Sequence, residues 1–356
     1  MLHYCNIDLN DSSKIFCAII IEKKILPINI LRKIEKEVLN MANGAAVATG
    51  VKKPSYFNKL FKDIVKQRWL YVLMIPGIAY FIIFRYVPIY GLQIAFQDFN
   101  PFNPAASEWV GFAQFERLFR SQHFPVVLRN TITISLLRLT FGFPVPIILA
   151  LLMNEFHSTL YKRAVQTVIY LPHFISWVIM AGIITAFLHP STGIINDVVY
   201  FFTGERIHFL ISTQHFVPML IATDIYKNMG WGTIIYFAAI SSVDAEQYEA
   251  AIIDGAGRFK QAIHITIPSI RPTIIIVFIL NLGSILHAGF EQIFMLYSPL
   301  VYQVSDIIDT FVFREGIVNA SFSFSAAAGM FQSVVALILI AGSNYLVRFL
   351  GGRAIW

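Results

Sequence analysis

Long apolar runs alternate with short polar segments along this chain, and the runs have the length of membrane crossings. A crossing helix needs about 20 mostly apolar residues. The pattern predicts six such helices, at roughly 70–95, 126–153, 165–188, 216–240, 272–296 and 326–350. Crossings two and four contain charged residues, which are tolerated only where a helix faces protein or water. The expected fold class is therefore an all-α polytopic membrane protein with six transmembrane helices.

Composition supports lipid as the solvent of this chain. Only 13% of its 356 residues are charged and 56% are hydrophobic, whereas a soluble domain carries about 25% charged residues. The 15% share of aromatic residues fits the same class, because aromatic rings favour membrane interfaces. The net charge of +6 raises the question of a nucleic-acid partner, which the positions of the basic residues can answer.

Basic residues lie mostly on one side of the predicted membrane. Five flank the crossings on one side, namely Arg85, Arg117, Arg120, Arg206 and Arg314. Thirteen lie on the other side, namely six between Lys52 and Arg68, with Lys162, Arg163, Arg258, Lys260, Arg271, Arg348 and Arg353. The positive-inside rule then places both termini in the cytoplasm. The net positive charge is thus explained by the basic residues that flank the crossings on the cytoplasmic side. We therefore expect a multi-pass protein of the bacterial cytoplasmic (plasma) membrane and no nucleic-acid partner.

Residues 1–64 form an N-terminal segment that we expect to be cytoplasmic. Both cysteines, Cys5 and Cys17, lie in it, so no disulfide framework is expected. The letters "KEVLNM" at 36–41 can be encoded by a sequence that resembles a bacterial ribosome-binding site shortly before a Met codon. We hypothesise that Met41 is the translation start and that residues 1–40 are not translated. Finding residues 1–40 in the mature protein by mass spectrometry would contradict this hypothesis.

The polar segment "DAEQYEAAIIDGAGRFKQAIHITIPSIRP", from residue 244 to residue 272, interrupts the apolar pattern. Asp244 is a typical N-cap residue, and Gly255 suits the left-handed position that ends a helix. A second short helix is predicted from Arg258 to Ile265, ended by Pro268 and Pro272. A helix, a glycine elbow and a second helix at the membrane surface suit docking to a partner protein.

Within that segment, "EAAIIDGAGRFKQAIHITIP" resembles the EAA loop of the membrane-spanning subunits of ABC importers. Other stretches, such as "QTVIYLPHFISWV" and "DIYKNMGWGTIIYFAAI", are similar to carbohydrate-import permeases of the LplB-like subgroup. The resemblance implies a type I ABC importer (MetI-like) permease fold over residues 65–356, with a cytoplasmic EAA coupling loop at 241–269. Carried over onto this chain, the ATPase-coupling residues are Glu249, Ala250, Ala251, Asp254, Gly255, Arg258 and Pro268.

The same resemblance implies a set of partners and a division of labour. They are a second homologous permease subunit, a homodimeric cytoplasmic ATPase and an extracytoplasmic solute-binding protein, with a carbohydrate as substrate and membrane lipid around the helices. The chain has no GxxxxGK[ST] phosphate loop. We therefore expect no catalytic residue and no cofactor in this chain, with ATP and Mg on the partner ATPase. The implied function is import of oligosaccharides or polysaccharide fragments by alternating access.

Polar and aromatic residues inside the crossings are the candidates for a substrate pathway. Sugars are recognised by hydrogen bonds and by aromatic faces. Asp224 and Lys227 are three apart on one helix face and so can neutralise each other. His173 lacks a second ligand at helical spacing, so no metal site is expected. The candidates are Arg129, Arg138, Asp224, Lys227, Trp231, Tyr236, Asn281, Glu291, Gln292 and Tyr297, with Glu291 foremost.

Two other classes of function are compatible with an apolar chain that carries polar residues in its crossings. An ion-driven secondary transporter places charges at the membrane midplane and often contains inverted repeats, but no such repeat is recognisable here. A non-transporting receptor or scaffold is the other alternative. The sequence also leaves the charge of the saccharide open, since acidic sugars would favour Arg129 or Arg138 in the pathway and neutral sugars would not need them.

Overall fold

The computed structural model describes residues 65–283 and 285–349, and the chain is mostly helical in these ranges. It divides into two compact units at residues 85 and 86. In the first unit the described residues form helix α1, Arg68–Phe81, which continues into a π-helical turn at Ile82–Tyr86. Its apolar side chains are largely exposed. Residues 1–64, with the hypothetical start at Met41, lie outside the described residues.

The second unit holds the other helices and one short antiparallel pair of strands. The strands are β1, Gln97–Asp98, and β2, Glu108–Trp109, with Gln97 opposite Trp109. Turns of 3₁₀ helix lie at Val87–Phe96, Leu171–Phe174 and Ile285–His287, and π-helical turns at Arg138–Gly142, Ala262–Thr266 and Arg314–Val318. The α-helices are α2 Ala113–Arg120, α3 Phe124–Leu137, α4 Pro144–Asn154, α5 Thr159–Tyr170, α6 Trp177–Phe187, α7 Ile194–Thr203, α8 Phe216–Ser241, α9 Ala245–Ile253, α10 Arg258–Gln261, α11 Ile267–Gly283, α12 Phe290–Leu296, α13 Tyr302–Ser305, α14 Ile308–Phe313 and α15 Phe322–Phe349.

Within the described residues, four helical runs are long and apolar enough to cross a membrane. They are Arg68–Phe96, Phe124–Asn154, Arg258–Gly283 and Phe322–Tyr345. A fifth crossing is possible if the bent pair Thr159–Phe174 and Trp177–Phe187 counts as one span. The predicted fourth crossing is a single 26-residue helix, α8. It is not one of the four, because the polar residues at its centre lower its mean hydropathy.

The predicted third crossing, 165–188, is wrong as a continuous helix. The chain bends by 105° between Phe174 and Trp177. Pro172 lies in the 3₁₀ turn that ends the first half. The Ser176 hydroxyl then accepts a hydrogen bond from the amide of Ile179 at 3.4 Å and starts the second half as an N-cap. Two helices that meet at an angle therefore replace one straight crossing.

The predicted bounds of the fifth crossing, 272–296, are also wrong. The helical run begins at Arg258 and ends at Gly283, and Pro268 and Pro272 lie inside it instead of ending a separate short helix. Pro268 falls in the first turn after the π-helical turn, where a missing N–H is tolerated. Helices in membranes also tolerate interior prolines such as Pro272. The remainder of the predicted crossing is a 3₁₀ turn followed by the short helix α12.

Close backbone contact holds the centre of the second unit together. Around α6, α8 and α12 lies a buried apolar cluster that includes Met180, Leu220 and Ile293. At Gly230, on α8, a β-carbon would overlap the carbonyl group of Ile169 on α5. These two helices therefore touch through backbone atoms, which is the packing that small residues permit in membranes.

Replacing Gly230 by alanine should destabilise the protein through this overlap. Overpacking a helix contact costs about 1–3 kcal/mol, which corresponds to a melting temperature lower by at least about 2 °C. The measurement is thermal unfolding of the purified protein in detergent. Gly182→Ala is the matched control, since Gly182 is also helical and a β-carbon added there would meet no atom within 4 Å. Equal melting temperatures for the two variants would contradict the close contact.

Candidate functional site

Helix α8 carries a polar stripe in an otherwise apolar sequence. The stripe consists of Asp224, Lys227, Asn228 and Trp231, at positions i, i+3, i+4 and i+7, which share one face of a helix. This polar stripe faces the two places where predicted crossings are interrupted, namely the turn after α5 and the turn before α12. Its contacts therefore define the candidate site inside the membrane.

Asp224 forms an ion pair with Arg138. The distance from Arg138 Nη1 to Asp224 Oδ1 is 3.2 Å, and each side chain is 16% exposed. Arg138 also donates a hydrogen bond to Gln292 Oε1. Its guanidinium lies against Gly289, whose φ is +82° and where any β-carbon would overlap the guanidinium. Glycine is therefore required at position 289 both for the backbone conformation and for room beside Arg138.

Gln292 connects α12 to α8. It is fully buried, and its Nε2 donates to the Leu220 carbonyl at 2.9 Å and to Thr223 Oγ1 at 2.7 Å. With Arg138 on its Oε1, the amide uses both its donor and its acceptor groups. A buried side-chain amide is stable when its donors and its acceptor all have hydrogen-bond partners, as here.

Lys227 forms no direct ion pair with Asp224, whose ion-pair partner is Arg138, although the negative charges of Glu291 and Asp224 both attract its ammonium. The Lys227 side chain is 6% exposed, and its ammonium donates to the carbonyls of Pro172 (3.3 Å), His173 (2.9 Å) and Ile175. The ammonium also lies 5.4 Å from the centre of the Trp177 ring. Lys227 therefore binds the broken third crossing on both sides of its bend.

A chain of polar contacts continues from Asp224 to an aromatic pair. Asn228 Nδ2 donates to Asp224 Oδ1 at 2.9 Å, and Asn228 Oδ1 lies 3.3 Å from His173 Nδ1. The His173 ring stacks on Trp231 with centres 4.7 Å apart and an angle of 7° between the planes. Trp231 is 49% exposed. The stack thus presents an aromatic face that is open in this chain.

Three further pathway candidates, Arg129, Glu291 and Asn281, lie on α3, α12 and α11. Arg129 is exposed and donates to the Gln303 carbonyl at 3.1 Å and to Asn130 Oδ1 at 3.4 Å. Glu291 is exposed on the first turn of α12, and Asn281 is exposed and donates to the Val277 carbonyl.

The two tyrosine candidates belong to packed aromatic groups. Tyr236 is 2% exposed and packs edge-on against Phe143, in the buried cluster with Ile270. Tyr297 is half-buried and its ring lies 4.9 Å from that of Tyr302. The structure therefore brings together Arg138, Asp224, Lys227, Gln292 and Trp231. Glu291 lies close enough to Lys227 for their opposite charges to attract each other, and the other four candidates lie apart from this group.

Beyond α12, ion pairs hold the segment between the short helices and the last span. Arg314 binds both oxygens of Asp306, with distances of 3.0 and 2.5 Å, and Asp306 also accepts from Thr310. Asp309 is held by Gln332 at 3.0 Å and His287 at 3.5 Å. Burial raises the pKa of the Asp309 carboxyl, while Gln332 and His287 act in the opposite direction.

The cytoplasmic loop predicted from the EAA-like letters folds as a capped helix with a glycine turn. Asp244 accepts from the amide of Glu246 at 3.1 Å and begins α9. At its other end, the Ala256 amide donates to the Ala251 carbonyl at 2.8 Å, and the Gly255 amide to the Ile252 carbonyl at 3.0 Å. With φ of +74° at Gly255, these bonds form the Schellman motif.

One side-chain contact holds this loop together, and two contacts of Arg258 attach it to the segment after α4. The Tyr248 hydroxyl lies 2.9 Å from Thr266 Oγ1 in the π-helical turn. Arg258 lies 3.2 Å from Glu155 and 3.2 Å from His157, just after α4. Arg258, Glu155 and His157 also line a cavity of about 430 Å³ between the loop and the end of α4.

The remaining surface of the loop is open. Glu249, Ala250, Asp254, Gly255 and Pro268 are exposed, and Ala251 is half-buried. The apolar side chains of Ile252, Ile253 and Phe259 are 63%, 86% and 79% exposed. An exposed apolar surface on a rigid, capped element marks a site of interaction.

Sequence reasoning missed several residues of these sites. Gly289, Thr223 and Glu155 have no local signal, because their roles come from residues distant in the chain. Among residues 65–283 and 285–349, no group of three or more His, Cys, Asp or Glu side chains is placed to hold a metal ion.

Comparison with known proteins places this geometry in a family. Residues 142–352 match the family described as "Binding-protein-dependent transport system inner membrane component". Protein LplB of Bacillus subtilis (strain 168) is 47% identical over 313 residues, covering 88% of this chain and 97% of that protein. The polygalacturonan/rhamnogalacturonan transport system permease protein YteP of the same organism is 42% identical, covering 88% of this chain and 98% of its own length.

A solved structure has a similar fold. It is a crystal structure of a bacterial ABC transporter involved in the import of the acidic polysaccharide alginate. The chain matches it with a TM-score of 0.76 and 43% identity, over 82% of this chain and 98% of the other. The same comparison finds a bacterial alginate ABC transporter in complex with alginate pentasaccharide-bound periplasmic protein, with a TM-score of 0.77 and 41% identity.

These matches confirm the resemblance seen in the sequence, and they exclude the ion-driven transporter and the scaffold as the class of this protein. The family is a transport component and not a catalytic enzyme. The chain belongs to the family of inner membrane components of binding-protein-dependent transport systems, and it is a multi-pass membrane protein.

Proposed function

We propose that this chain is one of two permease subunits in an ATP-driven importer of oligosaccharides or polysaccharide fragments. The observation that best supports this function is the exposed, capped helix α9 with its Gly255 turn, in a chain of this family. The names of the relatives support the substrate class, since they give polygalacturonan, rhamnogalacturonan and alginate as what those proteins transport.

The proposed assembly has partners on both faces of the membrane. A cytoplasmic ATPase homodimer, with its ATP and Mg, docks on the loop at 241–269, and a second homologous permease completes the pathway. A solute-binding protein delivers the saccharide from outside, as the structure of the alginate transporter with its periplasmic protein suggests by analogy. Six crossings and two cytoplasmic termini are the topology that suits these contacts, with the bent third span and α8 as crossings three and four.

The loop has the mechanical properties that a coupling element needs. Its first helix is held by Tyr248 against Thr266, and Arg258 is bound to the turn that follows α4. From Arg258 the backbone stays helical to Gly283. Movement of α9 by the ATPase would therefore pass through the hydrogen-bonded Gly255 turn and then along this helical run into the membrane. Alternating access follows if Glu249, Ala250 and Ala251 contact the ATPase, with Asp254, Gly255 and Arg258 shaping the turn and Pro268 starting the membrane helix.

The charge of the proposed saccharide can be related to two arginines. Arg138 is paired with Asp224 and is largely buried. Arg129 is exposed, and neither of the partners that it has among the described residues carries a charge. Of the two, Arg129 retains the positive charge that would attract a carboxylate. An acidic saccharide such as an oligouronate is therefore the substrate that this chain would favour.

The coupling role of Gly255 can be tested with two neighbouring glycines. Gly255→Ala forces a non-glycine residue into the left-handed region, which costs about 1–2 kcal/mol, although its β-carbon would meet no atom within 4 Å. We expect the variant complex to lose most of its stimulation of ATP hydrolysis by the loaded binding protein. The measurement is ATPase activity of the reconstituted complex.

Gly257→Ala is the matched control for that experiment. Gly257 lies two residues away, also leaves open space where a β-carbon would be, and has an ordinary φ of −68°. We expect it to keep normal stimulation. If both variants behaved alike, the left-handed turn would have no special role in coupling.

The role of Arg129 can be tested by comparing acidic and neutral oligosaccharides. Arg129→Gln should raise the half-saturating concentration of the binding protein loaded with an acidic saccharide by about fivefold, since an exposed charge contact is worth about 1 kcal/mol. Stimulation of the ATPase by a neutral saccharide should not change. Arg348→Gln, an exposed arginine at the other predicted face, is the control. An equal effect on acidic and neutral saccharides would exclude charge recognition by Arg129.

A further inference from the structure

We propose that Lys227 is a positioning residue that holds the third crossing in its broken form and thereby presents the His173–Trp231 aromatic face to the saccharide. The inference rests on the proposed function for the identity of the ligand. It concerns the ammonium group of Lys227, the carbonyls at the bend and the aromatic pair beside them. The aromatic face itself is one of the candidate pathway features described above, and the new element is what holds it in place.

The bend leaves backbone groups that need partners. A helix end has carbonyls without intrahelical donors, and within lipid no water is available to replace them. Here the first half of the crossing ends at Phe174 and the second half begins at Trp177. The carbonyls of Pro172, His173 and Ile175 lie at this junction, and all three accept from the Lys227 ammonium. The Pro172 carbonyl also accepts from the Ile175 amide.

The charge of Lys227 is suited to this position. The partial negative charge of the helix dipole is concentrated at a C-terminal end, and the ammonium lies against the end of the helical run Thr159–Phe174. It has three N–H donors and meets three carbonyls, so its hydrogen-bonding capacity is filled. The Trp177 ring, at the start of the second half, adds a cation–π contact at 5.4 Å.

The same contacts determine the place of the aromatic pair. His173 is itself one of the residues whose carbonyl Lys227 binds, and its ring is oriented by Asn228 at 3.3 Å and stacked on Trp231. Asn228 and Trp231 lie one and four residues after Lys227 on α8. If the junction straightened or rotated, the His173 ring would leave Trp231. Lys227 therefore acts on saccharide binding through the backbone of the bend and not by touching the sugar.

Cysteine labelling can report the bend without any saccharide. Phe174 is 73% exposed at the junction, and Phe201 on α7 is 82% exposed away from it. In the complete complex, with Cys5 and Cys17 replaced by serine, Phe174→Cys is labelled with a hydrophilic maleimide in forms carrying Lys227, Lys227→Met or Lys227→Arg. We expect Lys227→Met to change the labelling rate by about fivefold or more and Lys227→Arg to restore it, because arginine also donates to carbonyls. Labelling of Phe201→Cys should stay constant.

The second measurement is the half-saturating concentration of loaded binding protein for ATPase stimulation, in complexes without the added cysteines. Lys227→Met should raise it by about tenfold, the effect expected from loss of a charged hydrogen-bond donor, and Lys227→Arg should reverse most of the change. Should Lys227→Met fail to assemble, Lys227→Gln, which keeps two neutral donors, serves in its place with a smaller effect in the same direction.

The outcomes separate this inference from the proposed function. Equal labelling of Phe174→Cys in all three forms would overturn the assignment of Lys227 to the bend. Altered labelling with an unchanged half-saturating concentration would overturn its link to saccharide binding. A parent complex that responds to no saccharide, while its labelling depends on Lys227, would overturn the proposed function and support the role of Lys227 at the bend.

Discussion

A helix that breaks inside a membrane must have its free carbonyl groups satisfied by protein, because lipid offers no donor. In this chain the Lys227 ammonium donates to three carbonyls at the bend between Phe174 and Trp177, and the Ile175 amide donates to one of them, that of Pro172. The direction of α6 depends on that bend, and α6 contributes to the buried cluster shared with α8 and α12. The packing at the centre of the second unit is therefore tied to one side chain of α8.

The second interruption is the turn before α12. Helix α8 binds it as well, but through an ion pair and a side-chain amide instead of through backbone carbonyls of the turn itself. Arg138 bridges Asp224 and Gln292, and Gln292 donates to Leu220 and Thr223. A buried ion pair adds little net stability relative to apolar packing, but removing one partner leaves an expensive unpaired charge. The pair is better understood as a constraint on geometry. The turn after α3, helix α8 and helix α12 can therefore move only in ways that keep Arg138 and Asp224 together.

The sequence predicted the features that depend on local chemistry. Apolar length predicted a helical membrane protein, and Asp244 and Gly255 predicted a capped helix with a left-handed end, because both signals act within a few residues. The two interruptions were missed, since their causes are distant in the chain: Lys227 binds carbonyls 52 to 55 residues away, and Arg138 binds Asp224 across 86 residues. Asp224 and Lys227 looked like partners because they are near in sequence, but each finds a closer partner in space.

The proposed coupling loop leads into the helical run Arg258–Gly283, and the turn before α12 contacts Arg138 beside the polar stripe, which bears on how the proposed importer works. The helical run from Arg258 ends at Gly283, and a few residues later Gly289 lies against Arg138 and Gln292 bonds to α8. Ala288 and Gly289 both have positive φ, which defines the turn directly before α12. A displacement of the loop along that helix would press on the contacts that hold Arg138, Asp224 and Gln292. Because these buried polar groups lose their bonds if they separate, the helices around them are constrained to move as a group, which is what alternating access between two stable orientations requires.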